Sequence, residues 1–329
     1  MPDDPLFSGQ GPLPDDLARL RTAAARLPLP PEPDWDAAPR GEASRPWFVL
    51  AAAVVIAASM VVVGSWLAAD AWRVEALAGE PALRGFALGG RLALGGGVAT
   101  DEHSRARVFV PGLGEVDLEP ASLLRRVSGR GTERRLALDH GVLHARISAP
   151  PRVFVVETHG AVATDLGCAY TLEATRDGHG RLSVTAGRVV FTDRGHESFV
   201  PAGVWCPLTP AGVGVPRRDY ATDAFLAALA AYEQRASDAT ALDSVLVRAE
   251  ASDAITLWHL LPRVFGAARA SVAARMAQLI ELPAEVRTER ILALDPVALD
   301  TWWAAIGMGP ANEWRVAKSI AVPEPRIPR

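Results

Sequence analysis

Residues 152–191 read RVFVVETHGAVATDLGCAYTLEATRDGHGRLSVTAGRVVF, and the fold class follows from this stretch. The apolar runs Arg152-Val153-Phe154-Val155-Val156, Leu182-Ser183-Val184 and Arg188-Val189-Val190-Phe191 are β-branched, short, and closed off by glycine or polar turns. That is a strand pattern, because a helix of ordinary length needs a longer period-3.6 run. Asp177-Gly178-His179-Gly180 lies between Tyr170–Ala174 and Arg181–Thr185. Glycine there supplies the positive φ of a tight turn, so the two flanks read as a hairpin.

The same punctuation continues upstream at Gly89-Gly90, Gly95-Gly96-Gly97 and Pro111-Gly112, with Arg107-Val108-Phe109-Val110 as another short run. Many short strands at this spacing predict an all-β sandwich or roll over residues 86–217. From residue 218 the period becomes helical. Phe225, Leu226, Leu229 and Tyr232 share one face, as do Val272, Met276, Leu279 and Ile280. Ser252 or Asp253 can cap one helix, Asp295-Pro296 starts another, and Gly307 can end it after Trp302 and Trp303. A small all-α domain is expected over residues 218–318, followed by a Pro-rich tail at 319–329 that does not pack.

Upstream of the strands, Trp47 to Ala69 reads WFVLAAAVVIAASMVVVGSWLAA and contains no charge. At about 1.5 Å per residue it can cross a hydrocarbon core of about 30 Å. Trp47 and Ala69 are taken as the ends of one transmembrane helix. The run is too long for a signal-peptide core, so an uncleaved anchor is expected. Arg40 and Arg45 precede it, and Arg73 follows with Asp70 and Glu75 nearby, which leans toward a cytoplasmic N-terminus. Residues 70–85 are read as a stalk in which Trp72 to Leu77 continue the helix. In the leading segment, residues 1–46, a short helix from Asp15 to Leu27 aligns Leu17, Leu20, Ala24 and Leu27. It is too short to stand alone in water and needs a partner or a membrane surface. The alternative is an unstructured leader.

Hydrophobic residues make up 49% of the chain and the formal net charge is -4. That balance fits a globular protein and argues against a nucleic-acid binder. Catalytic patterns are missing: there is no H-E-x-x-H, no G-x-S-x-G and no phosphate-binding G-x-x-x-x-G-K-[ST]. His140 and His144 lie four apart in an extended stretch, about 13 Å, too far to share one ion. His159, His179 and His196 fall near turns, where solvated side chains are expected. Cys168 has no activating base beside it. No metal, no cofactor and no enzymatic activity are therefore expected. Cys168 and Cys206, the two cysteines, can form a disulfide if their compartment is oxidising, or remain two separate buried thiols. Of the pair Trp302-Trp303, one ring is expected to fill the helical core.

A series of landmarks in the β region resembles the FecR family of envelope regulators. Leu113-Gly114-Glu115-Val116-Asp117-Leu118 is loosely similar to the family's D-G-S-x-V-x-L strand. Gly141-Val142-Leu143-His144-Ala145-Arg146-Ile147 is similar to its G-E-x-x-F-x-V, and Phe154 to Val162 follows. The most specific piece is Ala163-Thr164-Asp165-Leu166-Gly167-Cys168-Ala169-Tyr170, similar to v-x-D-L-G-T-x-F, with Cys168 in place of the usual hydroxyl residue. Val184 to Phe191 and Pro201-Ala202-Gly203 complete the order. Gly167 and Gly187 stand where a strand needs a bulge, a turn or close backbone approach. The resemblance implies a single-pass protein of the bacterial inner membrane, N-terminus cytoplasmic and C-terminus periplasmic. Its β domain would sense a signal, and its N-terminal segment would control an extracytoplasmic-function sigma factor. The segment lacks a recognisable sigma-binding or zinc-binding pattern. The alternative is an envelope-anchored binding or scaffolding module for a glycan, peptidoglycan or protein ligand, outer-membrane proteins included.

Overall fold

The computed structural model describes residues 71–307 apart from Phe86, Gly89, Arg130, Arg194, Ala236 and Ser237, together with Arg19 and Ala52. Trp47, Ala69, Leu17, Leu20, Ala24 and Leu27 lie outside the described residues, as does the tail. Among the described residues, no helix is long and apolar enough to cross a membrane.

Strands come first: β1 (Trp72–Ala78), β2 (Ala82–Arg84), β3 (Ala87–Leu88), β4 (Arg91–Leu92), β5 (Gly97–Ala99), β6 (Arg105–Val110), β7 (Gly114–Leu118), β8 (Leu123–Val127) and β9 (Arg134–Ile147). They continue with β10 (Phe154–Thr158), β11 (Ala161–Asp165), β12 (Ala169–Ala174), β13 (Gly180–Ala186), β14 (Arg188–Thr192), β15 (Glu197–Pro201), β16 (Val204–Thr209), β17 (Gly212–Val213) and β18 (Arg217–Arg218). The helices are α1 (Asp223–Gln234), α2 (Ala239–Arg248), α3 (Ala254–Leu260), α4 (Gly266–Leu279), α5 (Thr288–Leu292) and α6 (Pro296–Ala305). A large β domain thus precedes a small helical region.

Long strand β9 organises the β domain because it belongs to two sheets. Its first half pairs with β8 and, in parallel, with β10. From there one sheet runs β2-β5-β8-β9-β10-β11-β14-β15. Its second half pairs with β7 and β12, giving a sheet in the order β1-β6-β7-β9-β12-β13-β16, with β17 and β18 beyond β16. The crossing point is Gly141, at φ 105. A Cβ there would lie 2.0 Å from Ser122 Oγ and 2.5 Å from Ser122 Cα, so only glycine lets β9 bend past β8. Residues from both sheets, among them Leu118, Leu143, Phe154, Phe191 and Leu182, enter one core with helical residues such as Phe225, Leu257 and Trp303.

Three local expectations need correction or refinement. The stretch expected as a helical stalk, Trp72 to Leu77, is strand β1, paired to β6 through Val74↔Val108. Trp72 is buried, with the Arg126 guanidinium over its ring, and alternation of Trp72 with Val74 is a strand pattern too short to tell from a helix by period alone. The β domain accordingly begins well before residue 86. Trp302 and Trp303 are both buried, rather than one of them. Adjacent helical positions lie about 100° apart, so α6 is covered over more than one stripe. Cys168 and Cys206 are free thiols, and both are buried. Cys168 leads into β12 and Cys206 stands on β16, with β13 between those strands. Two inter-strand spacings, about 10 Å, exceed what a disulfide spans.

Helical starts follow their expected chemistry. Thr222 caps α1 through Phe225 N–H, and Asp295 caps α6 through Ala298 N–H. Of the two caps expected, Ser252 or Asp253, it is Asp253 that serves, in a reciprocal capping box with Glu250 ahead of α3.

Candidate functional site

The turn between β11 and β12 concentrates the buried polar chemistry of the β domain. Asp165 ends β11, and its Oδ1 accepts Gly167 N–H at 2.6 Å. The Cys168 thiol donates to the other carboxyl oxygen. Arg152 N–H reaches the Asp165 carbonyl at 2.8 Å. Across the turn, a Cβ on Gly187 would lie 2.1 Å from the Gly167 carbonyl oxygen and 2.9 Å from Cys168 Cα. Gly187 is therefore a close-approach glycine that lets the β13–β14 corner seat on this turn. The D-L-G pattern and the later glycine, far apart in sequence, are one contact in space.

Burial dominates the electrostatics here. Asp165 is 1% exposed, and desolvation raises its carboxyl to about 6 despite the bonds from Cys168 and Gly167. Burial, reinforced by the neighbouring Asp165, pushes the Cys168 thiol well up. That rules out a reactive thiolate. Tyr170 is also buried, and its hydroxyl has no hydrogen-bond partner. Cys206 is pushed up to about 12 by burial, and its Sγ contacts the Gly214 carbonyl at 3.2 Å. Neither thiol is expected to react with a maleimide in the native protein. Both should react after unfolding, which mass spectrometry of labelled, non-reduced protein can count.

Charges on the open face of the β7 sheet satisfy one another. Asp117 takes Arg107 at 2.6 Å and Arg146 at 2.7 Å, and Glu115 takes Arg146 at 2.7 Å. Burial alone would raise Asp117, but the two guanidiniums outweigh it and hold the carboxyl low. This ladder ties β6, β7 and β9 together, as cross-strand pairs do. A shallow cleft of about 510 Å³ lies beside the β10–β11 hairpin, lined by Arg125, Asp139, Glu157, Thr158 and His159 among others. Arg125 is committed to Asp139 there, and Glu157 to Arg135.

The histidines do not converge. His140 contacts Arg176, His144 contacts Thr171 and Glu119, His179 contacts Asp177, and His196 contacts Asp193. Among the described residues, no group of three or more His, Cys, Asp or Glu is placed to hold a metal ion. His259 was the residue that sequence reasoning passed over. Its Nδ1–H donates to the Ile255 carbonyl at 2.8 Å, leaving Nε2 to accept Phe199 N–H of β15 at 3.0 Å. β15 is the edge of its sheet, so a side chain from α3 takes the place of a missing strand. Arg263 reinforces the join, bonding Ser198 Oγ and the Val213 carbonyl at 2.8 Å each. Phe199, Trp258, His259 and Trp303 stack edge-on around it. The run Thr256-Leu257-Trp258-His259-Leu260-Leu261 carried the only signal, a polar ring inside an apolar helix.

Fold and turn together define a two-sheet β module pinned by a buried carboxylate and a pair of close-packed glycines. Within this module, residues 97–190 match the model of the family described as FecR protein. That match runs from β5 into β14 and includes both the Asp165 turn and Gly187. No curated protein matches the chain. Two crystal structures described as a "putative anti-sigma factor" from Parabacteroides distasonis are similar to it. One is 15% identical, with 40% of this chain and 63% of that chain covered at a TM-score of 0.33. The other is 14% identical, with 45% and 73% covered at a TM-score of 0.33. The chain thus spans less than two thirds of the first structure, and the likeness is too slight to carry an argument.

Proposed function

We propose that this chain is a single-pass regulator of the FecR type. The β domain and helical region would stand in the periplasm of a bacterial envelope, and residues 1–46 would act on an extracytoplasmic-function sigma factor in the cytoplasm. One observation carries the reading: a FecR domain follows, in the same chain, an uncharged segment long enough to cross a bilayer. The Leu17, Leu20, Ala24 and Leu27 face would be the contact for the sigma factor. Transmission would be a population shift, in which an outer partner binds two states of the periplasmic part with different affinity.

A reporter fused at each end tests the topology, and a C-terminus that reads as cytoplasmic defeats the proposal. Residues 1–46 used as bait should recover a sigma factor from cell extract. Replacing Leu20 and Leu27 with Asp should reduce that recovery at least about tenfold, since each substitution buries a charge against an apolar contact. Recovery of no sigma factor, with unchanged transcription on deleting the segment, would leave the envelope-anchored binding module as the better reading.

A further inference from the structure

The Asp165 turn holds an unusual set of groups for a domain core. Asp165, Cys168 and Tyr170 are 1%, 4% and 2% exposed, and all three are ionisable. Among the described residues, burial and the bonds from Gly167 and Cys168 set the state of Asp165, with no cationic group among its influences. From the loop before β10, Arg152 offers its backbone N–H. From β14, Arg188 accepts Leu166 N–H through its carbonyl, and Val189 is the paired residue. From the β12 side come only the thiol and the phenol, and Gly187 packs without a side chain. A buried carboxylate without a cation is costly when charged. The Tyr170 hydroxyl, within electrostatic range of Asp165, lacks a hydrogen-bond partner.

We infer that the Asp165–Cys168–Tyr170 cluster is a proton-binding site of the FecR domain, which takes one proton from solvent onto the Asp165 carboxyl in weakly acidic medium. The carboxylate accepts from Gly167 N–H and Cys168 Sγ–H at neutral pH. The neutral acid gains an O–H donor and is a weaker acceptor for the two bonds it takes from Gly167 N–H and the Cys168 thiol. The change falls on the turn that carries Gly167 and aims β12, so the state of one proton alters how the β11–β12 turn is held. The proton site stands independently of the proposed function, while its use as an acid sensor rests on the periplasmic placement.

The sign follows from linkage. A carboxyl raised from 3.8 to about 6 by burial makes the folded state bind more protons than the unfolded chain between those values. Its contribution to stability is present in acid and is lost as pH rises through about 6. The test is infrared difference spectroscopy on the detergent-solubilised full chain, titrated from about pH 8 to about pH 4. A carboxylic-acid carbonyl band with a midpoint near 6 is expected in the native protein and should be missing in Asp165→Asn. Cys168→Ser should lower the midpoint, because a hydroxyl is a stronger donor to the carboxylate than a thiol. A band that persists in Asp165→Asn, or a native midpoint in the ordinary carboxylate range, overturns the proposal. Should Asp165→Asn not fold, an unmoved midpoint in Cys168→Ser overturns it equally.

Discussion

Gly141→Ala is expected to destabilise the protein by about 3 kcal/mol or more, read as a lowered midpoint in chemical denaturation. Two terms add. An alanine at φ 105 sits in a region that L-residues rarely adopt, and its Cβ would meet Ser122 Oγ at 2.0 Å and backbone Cα at 2.5 Å. Ser122 cannot move aside cheaply, since its Oγ accepts Val142 N–H and its N–H is held by Thr100 Oγ1. Gly112→Ala is the control. It shares a positive φ, 72, but nothing lies within 4 Å of the added carbon. It should cost only the backbone term, about 1 kcal/mol. Equal effects at the two positions would mean that the β9 crossing is not sterically tight.

Replacing His259 with Ala is expected to cost about 3 kcal/mol or more. It orphans the buried Phe199 N–H, worth about 1–3 kcal/mol, and leaves a void among Trp258, Trp303 and Phe199. Phe199 N–H should lose hydrogen-exchange protection while its neighbours within β14 and β15 keep theirs. His259 also sets a pH dependence opposite to that of Asp165. Burial lowers its imidazole from 6.5 to about 3, so the unfolded chain takes up a proton that the fold refuses. That stability is present above about 6.5 and is lost as pH falls toward 3. Between about pH 6 and pH 4 the two residues nearly cancel. From these two residues the native protein should therefore show a shallow profile between about pH 6 and pH 4, Asp165→Asn a loss of stability toward acid, and the His259 variant a gain toward acid. Parallel profiles for all three would contradict both assignments.

The β region was legible in the sequence because its signals are local. The hairpin at Asp177-Gly178, the β10 and β14 runs and the D-L-G turn each sit within a few residues of their partners. What the glycines were for was only half legible. Gly187 was marked as needing close approach, but the atom it approaches, the Gly167 carbonyl, lies across a turn that no period reveals. Trp72 to Leu77 misled for the opposite reason, since a short alternating run beside a long uncharged segment borrows its neighbour's reading. His259 was invisible because its role depends on β15 being an edge, which only the pairing of strands decides. The same holds for the cysteines, whose separation is set by the strand that runs between them.

Because β9 lends its first half to one sheet and its second half to the other, neither sheet can be completed, or taken apart, without the other. Strands that precede β9 in the chain, β7 and β8, and strands that follow it, β10 and β12, must all find the same fourteen residues. Assembly of the β domain is thus a single concerted event rather than the docking of two finished layers, and its unfolding is expected to be all-or-none. Local fraying at β9 would loosen both layers together, which makes this strand the part of the molecule least tolerant of partial order.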